Sequence, residues 1–314
     1  ASGAKAVFNV GLVPILAGHL KHESLKVRHL SVICLGIVAK TTDVNIASLP
    51  VIVDGFEFTW NGNIASVDHL QDLAIATAAV LDNKPSTTLG SAIVLKVMNW
   101  FQYGVQRRVP PKELFGLVSC LDKIVHCSKQ DAVAVCNAAA QSLVDFLQVY
   151  PVQYQEDRLL YAILRPAARC IGNITSDKVE ETQHIVDCGF LQAARDLVML
   201  GKRLPKVQLK PLRRELFWAM SNVAAGNAAQ VTAVMELGDD FLQLIVSSAR
   251  WDQYVVRMEA LWLLSNLLLH SDSSQRQKLV MLDGVLPLCE FLADPREAHV
   301  QQNILETIDK LLFD

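Results

Sequence analysis

Two motifs of the pattern Trp-x-x-x-Asn stand in the second half of the chain. They are Trp218–Asn222 and Trp262–Asn266, and a related motif, Arg169–Asn173, precedes them with Arg in place of Trp. Residues four apart share one face of a helix. An Asn amide both accepts and donates, so it satisfies the N–H and the C=O of a bound peptide, and an indole face attracts the cation of Lys or Arg. These residue types predict a surface that holds an extended basic peptide.

The spacing of the motifs indicates helical repeats. The three asparagines lie 49 and 44 residues apart, and a period in the forties is typical of stacked helical units. A glycine opens a turn in similar sequence at positions 11, 55, 189, 238 and 284, at intervals of 44, 134, 49 and 46 residues. Each glycine is expected to permit a sharp turn with positive φ between two helices.

An apolar helix, a polar break and a longer helix are expected after each glycine turn. In the last unit the helices are predicted over roughly 285–293 and 297–312, with a break near 294–295. Residues 50–66 read as a short hairpin. Residues 148–158 and 201–210 read as extended loops. The whole chain, 1–314, is predicted to be a single domain.

Composition limits the class of partner. The chain has 51% hydrophobic and 19% charged residues and a net charge of −3, which excludes a disordered chain and the basic stripe of a nucleic-acid binder. No apolar run long enough for a membrane span is evident. We therefore expect neither nucleic acid nor a membrane as the partner.

The sequence gives no support to an enzyme. No phosphate-binding loop or hydrolase motif occurs, and the eight histidines do not cluster with Ser or Cys. Cys120, His126 and Cys127 match no zinc spacing. We expect no catalytic residue, no metal and no cofactor. The seven scattered cysteines, mostly set among apolar residues, indicate reduced core thiols in a protein of the cytoplasm or nucleus.

The chain resembles the importin-alpha family of armadillo proteins. The resemblance rests on the two Trp-x-x-x-Asn motifs, on Ala224–Asn227 behind the first of them, on Arg169–Asn173, and on 99–101 followed by 109–111. It implies an all-α, right-handed superhelical armadillo solenoid of about seven repeats. Aligned this way, the chain matches the third to ninth repeats and lacks the N-terminal segment through which the family binds importin beta.

The resemblance also implies a function and a site. The family reads nuclear localisation signals, and the sixth to eighth repeats carry its minor site for Lys/Arg-rich peptides. The matching residues are Arg169, Asn173, Glu215, Trp218, Asn222, Glu259, Trp262 and Asn266, with Asn99 on the fourth repeat. The implied partners are basic cargo and an importin-beta-type carrier, in the cytoplasm and nucleus.

The family's major site is largely absent. Ile33 and Ile37 replace its Trp and Asn on the third repeat, and Leu95 replaces the Trp before Asn99. These departures favour an alternative, in which the chain is an armadillo scaffold that lost import function and holds one structural partner in a larger assembly.

Structural alternatives also stay open for the site residues. Trp218 and Trp262 could be core aromatics. Asn side chains could bond the backbone of the neighbouring repeat, which is the reading we favour for Asn99. Glu215 and Glu259 could be surface charges paired with arginines at 214 and 257. The peptide hypothesis requires the indoles at 218 and 262 and the amides at 222 and 266 to face solvent together.

Overall fold

The described part of the chain is entirely helical. A computed structural model describes residues 11–41, 91–127, 129–154, 160–200, 206–293 and 298–313, which form fifteen helices and no strand. The hairpin predicted over 50–66 lies outside these residues. The helices are α1 Leu12–His19, α2 Leu25–Thr41, α3 Ser91–Gln106, α4 Pro111–Cys127, α5 Lys129–Gln153, α6 Leu160–Ile174, α7 Val179–Asp187, α8 Phe190–Leu200, α9 Lys206–Ala224, α10 Ala228–Met235, α11 Asp239–Trp251, α12 Tyr254–His270, α13 Ser273–Met281, α14 Leu286–Phe291 and α15 Ala298–Phe313.

The chain divides into two compact units. The first comprises residues 1–146 and 152–170, and the second comprises 147–151 and 171–314. The division passes through α6, so Arg169 belongs to the first unit and Asn173 to the second. That 1–314 acts as a single domain stays a prediction.

The second unit repeats a pattern of three helices. A short helix of 8 or 9 residues is followed by a second helix and then by a longer third helix, in the sets α7–α9, α10–α12 and α13–α15. Equivalent helices pack against each other, since α12 contacts both α9 and α15, and α11 contacts α14. The two helices of the last set, α14 and α15, match the prediction for the last unit.

The third helices are buried on several sides, as α12 shows. In α12 eight residues are buried, among them Leu261, Leu264 and Leu268 at 0% exposure. A helix that is apolar on most sides packs against several neighbours at once. The residues at 258, 262 and 266 are half-buried and follow one another at intervals of four.

Glycine turns occur as predicted at three of the five positions. Gly11, Gly189 and Gly238 have φ of 71°, 89° and 102°, a region that costs other residues strain. At the last turn the prediction was wrong in detail, because Asp283 adopts the positive φ of 59°. Gly284 is required there for space, since a Cβ would lie 2.7 Å from the Leu279 carbonyl oxygen. The turn at position 55 lies outside the described residues.

The two loop predictions were wrong where the structure describes them. α5 continues to Gln153 with Pro151 inside it, and α9 begins at Lys206 with Pro211 inside it. Phe146 and Tyr150 are fully buried near the end of α5. Burial of such side chains outweighs the local cost of a proline. Residues 155–159 and 201–205 are not described.

One described helix is long and apolar enough to cross a membrane by length and composition alone. It is the segment Ala132–Gln153, which includes one charged residue, Asp145. More than half of its window is buried inside the protein, at 56%. A core helix passes the same test, and the burial fits that reading.

Candidate peptide-binding surface

The third helices bring the two Trp-x-x-x-Asn motifs together. Trp218 and Asn222 lie on α9, Trp262 and Asn266 lie on α12, and these two helices pack against each other. All four side chains are half-buried. They are therefore neither sealed in the core nor fully open to solvent, and part of each indole and amide is accessible to a ligand.

Each asparagine links its helix to the third helix of the preceding repeat. Asn222 Nδ2 donates to Gly172 O at 3.0 Å and lies 3.5 Å from Thr175 Oγ1. Asn266 Nδ2 donates to Ser221 O, also at 3.0 Å. In each case the acceptor precedes the Asn position of the earlier motif by one residue. The structural alternative is thus found for the donor side of both amides, since Asn222 Nδ2 donates to Gly172 O and to Thr175 Oγ1 and Asn266 Nδ2 donates to Ser221 O.

Each amide keeps an acceptor for a ligand. Among the described residues, the structure records no hydrogen bond to Oδ1 of Asn222 or Asn266, and Asn266 Nδ2 also carries a second N–H beyond its bond to Ser221 O. A peptide backbone needs one acceptor and one donor. The two asparagines can therefore join repeats and bind a peptide at the same time.

The contact between the next two third helices, α12 and α15, uses different side chains. Ser265 Oγ donates to Asn303 Oδ1 at 2.5 Å and lies 2.6 Å from Thr307 Oγ1 on α15. Thr307 is fully buried. Sequence reasoning missed these two residues, although their spacing of four is the same as in the motifs. The step from α12 to α15 is joined without an indole.

The indole of Trp218 lies against a glycine of the preceding repeat. A Cβ at Gly172 would be 2.3 Å from Trp218 Cζ3 and 2.4 Å from Cε3, which is far inside van der Waals contact. Only glycine leaves room for the ring at this position. The ring thus packs against Gly172, and Trp218 as a whole stays partly exposed.

The two glutamates predicted for the site are bridged by one arginine. Arg214 Nη1 lies 3.3 Å from Glu215 Oε1, and its Nη2 lies 3.1 Å from Glu259 Oε1. Side-chain exposure is 38% for Arg214, 1% for Glu215 and 13% for Glu259. We call these three residues the Arg214 cluster. The Arg214 cluster has a net charge of −1. Its glutamates lie about one helical turn before Trp218 on α9 and before Trp262 on α12.

Burial dominates the electrostatics of the cluster. Desolvation raises the pKa of Glu259 from its ordinary value of 4.5, the neighbouring Arg214 opposes this shift, and Glu215 adds to it. The carboxylates therefore depend on a cation for compensation. Of the alternative, the pairing with Arg214 is found, but the two glutamates are not surface charges. Arg257 instead donates from Nε to Ala249 O at 3.1 Å.

Arg169 is engaged by a carboxylate within the first unit. Its Nε lies 2.8 Å from Asp122 Oδ1, and its Nη2 bonds Oδ2 of the same residue. Asp122 is 5% exposed and Arg169 is 43% exposed. Burial, with a contribution from Asp122, raises the pKa of Cys170, so that thiol stays protonated. The role of Arg169 in peptide binding stays a prediction.

The outer members of the predicted set have fewer contacts. Asn99 is exposed on α3 and Asn173 is half-buried on α6, and the structure records no side-chain hydrogen bond from either to another described residue. The backbone bond favoured for Asn99 is thus not found there. The whole set of site residues stays a prediction as a binding site.

A second line of polar links joins the first helices of successive repeats. α10 and α13 each begin with a capping box, Asn227 with Gln230 and Asp272 with Gln275. Each Gln also reaches the preceding repeat. Gln230 donates to a backbone carbonyl at the start of α7 at 3.0 Å, and Gln275 donates to Thr232 at 2.8 Å. The sequence signal was a cap residue followed by Gln three positions later.

Metal-binding groups are not assembled in the described residues. No three His, Cys, Asp or Glu side chains there are arranged to hold an ion. Cys120, Cys136 and Cys170 are buried free thiols, whereas Cys34 and Cys289 are exposed. The expectation of core thiols is therefore right for the first three and wrong for the last two.

Comparison with known proteins supports the armadillo fold. An engineered protein of known crystal structure superimposes with a TM-score of 0.79 over 99% of this chain and 71% of its own, at 18% identity. A designed armadillo repeat protein in complex with the peptide (KR)4 superimposes with a TM-score of 0.55 at 17% identity, over 95% of this chain and 98% of its own. The chain has an all-α armadillo-repeat fold.

The likeness in sequence is partial. A stretch of 77 residues is 32% identical to importin subunit alpha-1a of Oryza sativa subsp. japonica, which is 24% of this chain and 14% of the rice protein. No family model matches the chain. The chain is therefore an armadillo-repeat protein with a local similarity to importin alpha.

Proposed function

We propose that this chain is a non-enzymatic adaptor that binds extended Lys/Arg-rich peptides at a surface formed by α9 and α12. The observation that carries the proposal is the paired set of half-buried side chains, Trp218 with Asn222 and Trp262 with Asn266, on two helices in contact. The same pair of residue types recurs in the same register on successive repeats. One residue of each pair binds main chain and the other binds a cationic side chain.

The dimensions of a stacked helix pair suit an extended peptide. Packed helices lie about 8–10 Å apart, and an extended chain advances about 3.3–3.6 Å per residue. Each repeat thus meets a new stretch of two or three peptide residues. The Oδ1 atoms of Asn222 and Asn266 and the second N–H of Asn266 bond the peptide backbone without selecting its sequence, because every residue presents the same main-chain groups.

Cationic side chains fit between the asparagines. The stem of Lys or Arg packs along an indole and its charge faces the ring, which contributes about 0.5–2 kcal/mol per contact. The Arg214 cluster adds a charge of −1 nearby. The designed armadillo protein solved with (KR)4 is a fold relative bound to a peptide of this composition, which supports the choice of ligand.

A role in nuclear import is the finer form of the proposal. It rests on the local similarity to importin alpha and on the motifs that carry the resemblance. Under this proposal the cargo is a nuclear localisation signal, an importin-beta-type carrier is the second partner, and the protein acts in the cytoplasm and nucleus.

A structural scaffold is the second candidate, and the first unit favours it. Ile37 and Leu95 hold positions where the family has Asn and Trp, and they are 52% and 48% exposed. Apolar side chains there suit an apolar partner surface better than a basic peptide. Affinity purification separates the candidates, because the adaptor recovers basic cargo with an importin-beta-type carrier and the scaffold recovers one stoichiometric protein.

The binding proposal is tested with fluorescent (KR)4 and the N222A/N266A variant. We expect binding at least about tenfold weaker than in the wild type, because each lost hydrogen bond contributes about 1 kcal/mol. Asn137→Ala, an exposed Asn on α5, is the matched control and should bind like the wild type. Circular dichroism must show unchanged helicity. Equal affinity of N222A/N266A and wild type would contradict the proposal.

A further inference from the structure

Arg214 lies on the same helix face as the peptide-binding pair of α9. It precedes Trp218 by four residues and Asn222 by eight, and all three side chains are half-buried. Residues at this spacing form one stripe along a helix. The proposed function assigns this surface to cationic ligands, yet the surface already carries a cationic side chain of the protein, Arg214.

The guanidinium of Arg214 already holds both carboxylates of that surface. Its two terminal nitrogens contact Glu215 at 3.3 Å and Glu259 at 3.1 Å, one on its own helix and one on α12. We propose that Arg214 is an internal competitor that weakens the binding of cationic side chains to this surface and that an incoming Arg replaces more fully than a Lys does. This inference rests on the proposed function and adds its specificity.

The competition follows from the charge balance of the cluster. Two carboxylates share one guanidinium, and both are largely desolvated, at 1% and 13% exposure. A ligand cation gains the full interaction only if it replaces Arg214, whose 38% exposed side chain can turn toward solvent. The buried carboxylates then keep a cation throughout, so no uncompensated charge is left inside.

The geometry favours arginine over lysine as the replacing group. A guanidinium is a planar fork that bonds two acceptors in different directions, whereas an ammonium is a compact point charge. Only an Arg side chain restores both contacts that Arg214 gives up. The wild-type surface is therefore selective for peptides that place Arg, rather than Lys, beside Trp218.

The neighbouring helix shows the surface without this competitor. On α12 the residue four positions before Trp262 is Met258, also half-buried. The internal cation is thus present at the α9 motif and absent from the α12 motif. Arg214→Met copies onto α9 the residue that α12 already uses at that register, with a similar side-chain length.

The test compares octa-arginine and octa-lysine binding to wild type and R214M by fluorescence anisotropy. R214M should bind octa-arginine at least about fivefold more tightly than the wild type, and octa-lysine by the same or a smaller factor, because neither peptide has to displace Arg214 any longer. Arg213→Met is the matched control, because Arg213 is the preceding residue and pairs with Asp252 at 2.7 Å. It removes the same charge but leaves Arg214 on the two glutamates, so its gain in affinity for octa-arginine should be clearly smaller.

Each outcome decides the matter. Weaker or unchanged octa-arginine binding by R214M, or an equal gain in R213M, overturns the competitor role while the wild-type affinity upholds the proposed function. Absence of binding to both peptides in every variant overturns both. If circular dichroism shows that R214M is unfolded, R214K serves instead, because it keeps a cation but not the fork and is therefore easier to displace. R214K should bind octa-arginine more tightly than the wild type, and an unchanged affinity would again contradict the competitor role.

Discussion

The third helices of the second unit and the corresponding helices of the first unit use equivalent positions differently. On α9, Trp218 and Asn222 are half-buried, and the Asn bonds the preceding repeat at 3.0 Å. On α3, Leu95 stands four residues before Asn99, and both are exposed. No hydrogen bond from the Asn99 side chain to another described residue is recorded.

The difference shows that the asparagine alone does not make the motif. An exposed Asn has water as its partner and contributes little to stability. Beside an indole, the Asn is half-buried and must be paired, because burial of an unpaired amide is costly. In the second unit the motif therefore joins stacking of the repeats to the proposed binding surface, whereas the described residues of α3 show neither an indole at position 95 nor a hydrogen bond of Asn99 to a neighbouring repeat.

Arg169 offers the sharpest way to break this comparison. Arg169→Trp would give the first motif the same sequence pattern as the other two, yet we expect it to lower the free energy of unfolding by about 3 kcal/mol. Removal of the arginine leaves Asp122 buried without its cation. Urea denaturation followed by circular dichroism measures the loss. Adding Asp122→Asn should recover part of it, and an R169W variant as stable as the wild type would contradict the account.

A methyl group at Gly172 tests the contact that fixes the indole in the second unit. Gly172→Ala should destabilise the protein by about 1–3 kcal/mol, since the added Cβ meets the Trp218 ring. The penalty should largely vanish in a W218A background, where the ring is gone. A double-mutant cycle of unfolding free energies checks this. Additive effects would show that the two residues do not touch.

Single Asn replacements compare the two units directly and give the smallest expected effects. Asn222→Ala should cost about 1 kcal/mol, the net value of one hydrogen bond to the preceding repeat. Asn99→Ala should change the free energy of unfolding by less than about 0.5 kcal/mol, as is usual for an exposed position. The same urea titration measures both. Equal costs would remove the distinction between the units.

Much of the fold follows from periodicity. The glycine spacing and the apolar faces gave the repeat and the positive φ at Gly11, Gly189 and Gly238. The helices through Pro151 and Pro211 were missed because tertiary burial outweighs local preference. At the last turn, Asp283 takes the left-handed conformation because close backbone approach, rather than φ, requires Gly284.

The sequence predicted which residue types form the candidate surface, but it did not predict which side chains pair with one another there. The motifs named the Trp and Asn positions, which the structure brings together on α9 and α12. Partners distant in sequence, such as Asp122 for Arg169 and Glu259 for Arg214, depend on which helices become neighbours. A single sequence carries little signal for such contacts.

The central claim is that the two indoles bind basic peptide, and isothermal titration of (KR)4 tests it most directly. We expect micromolar affinity for the wild type, about −8 kcal/mol, and at least about tenfold weaker binding for W218A/W262A, because each cation–π contact contributes about 0.5–2 kcal/mol. Trp251→Ala removes an indole that is 72% exposed on α11 and should bind like the wild type. If W218A/W262A binds (KR)4 as tightly as the wild type, the account is wrong.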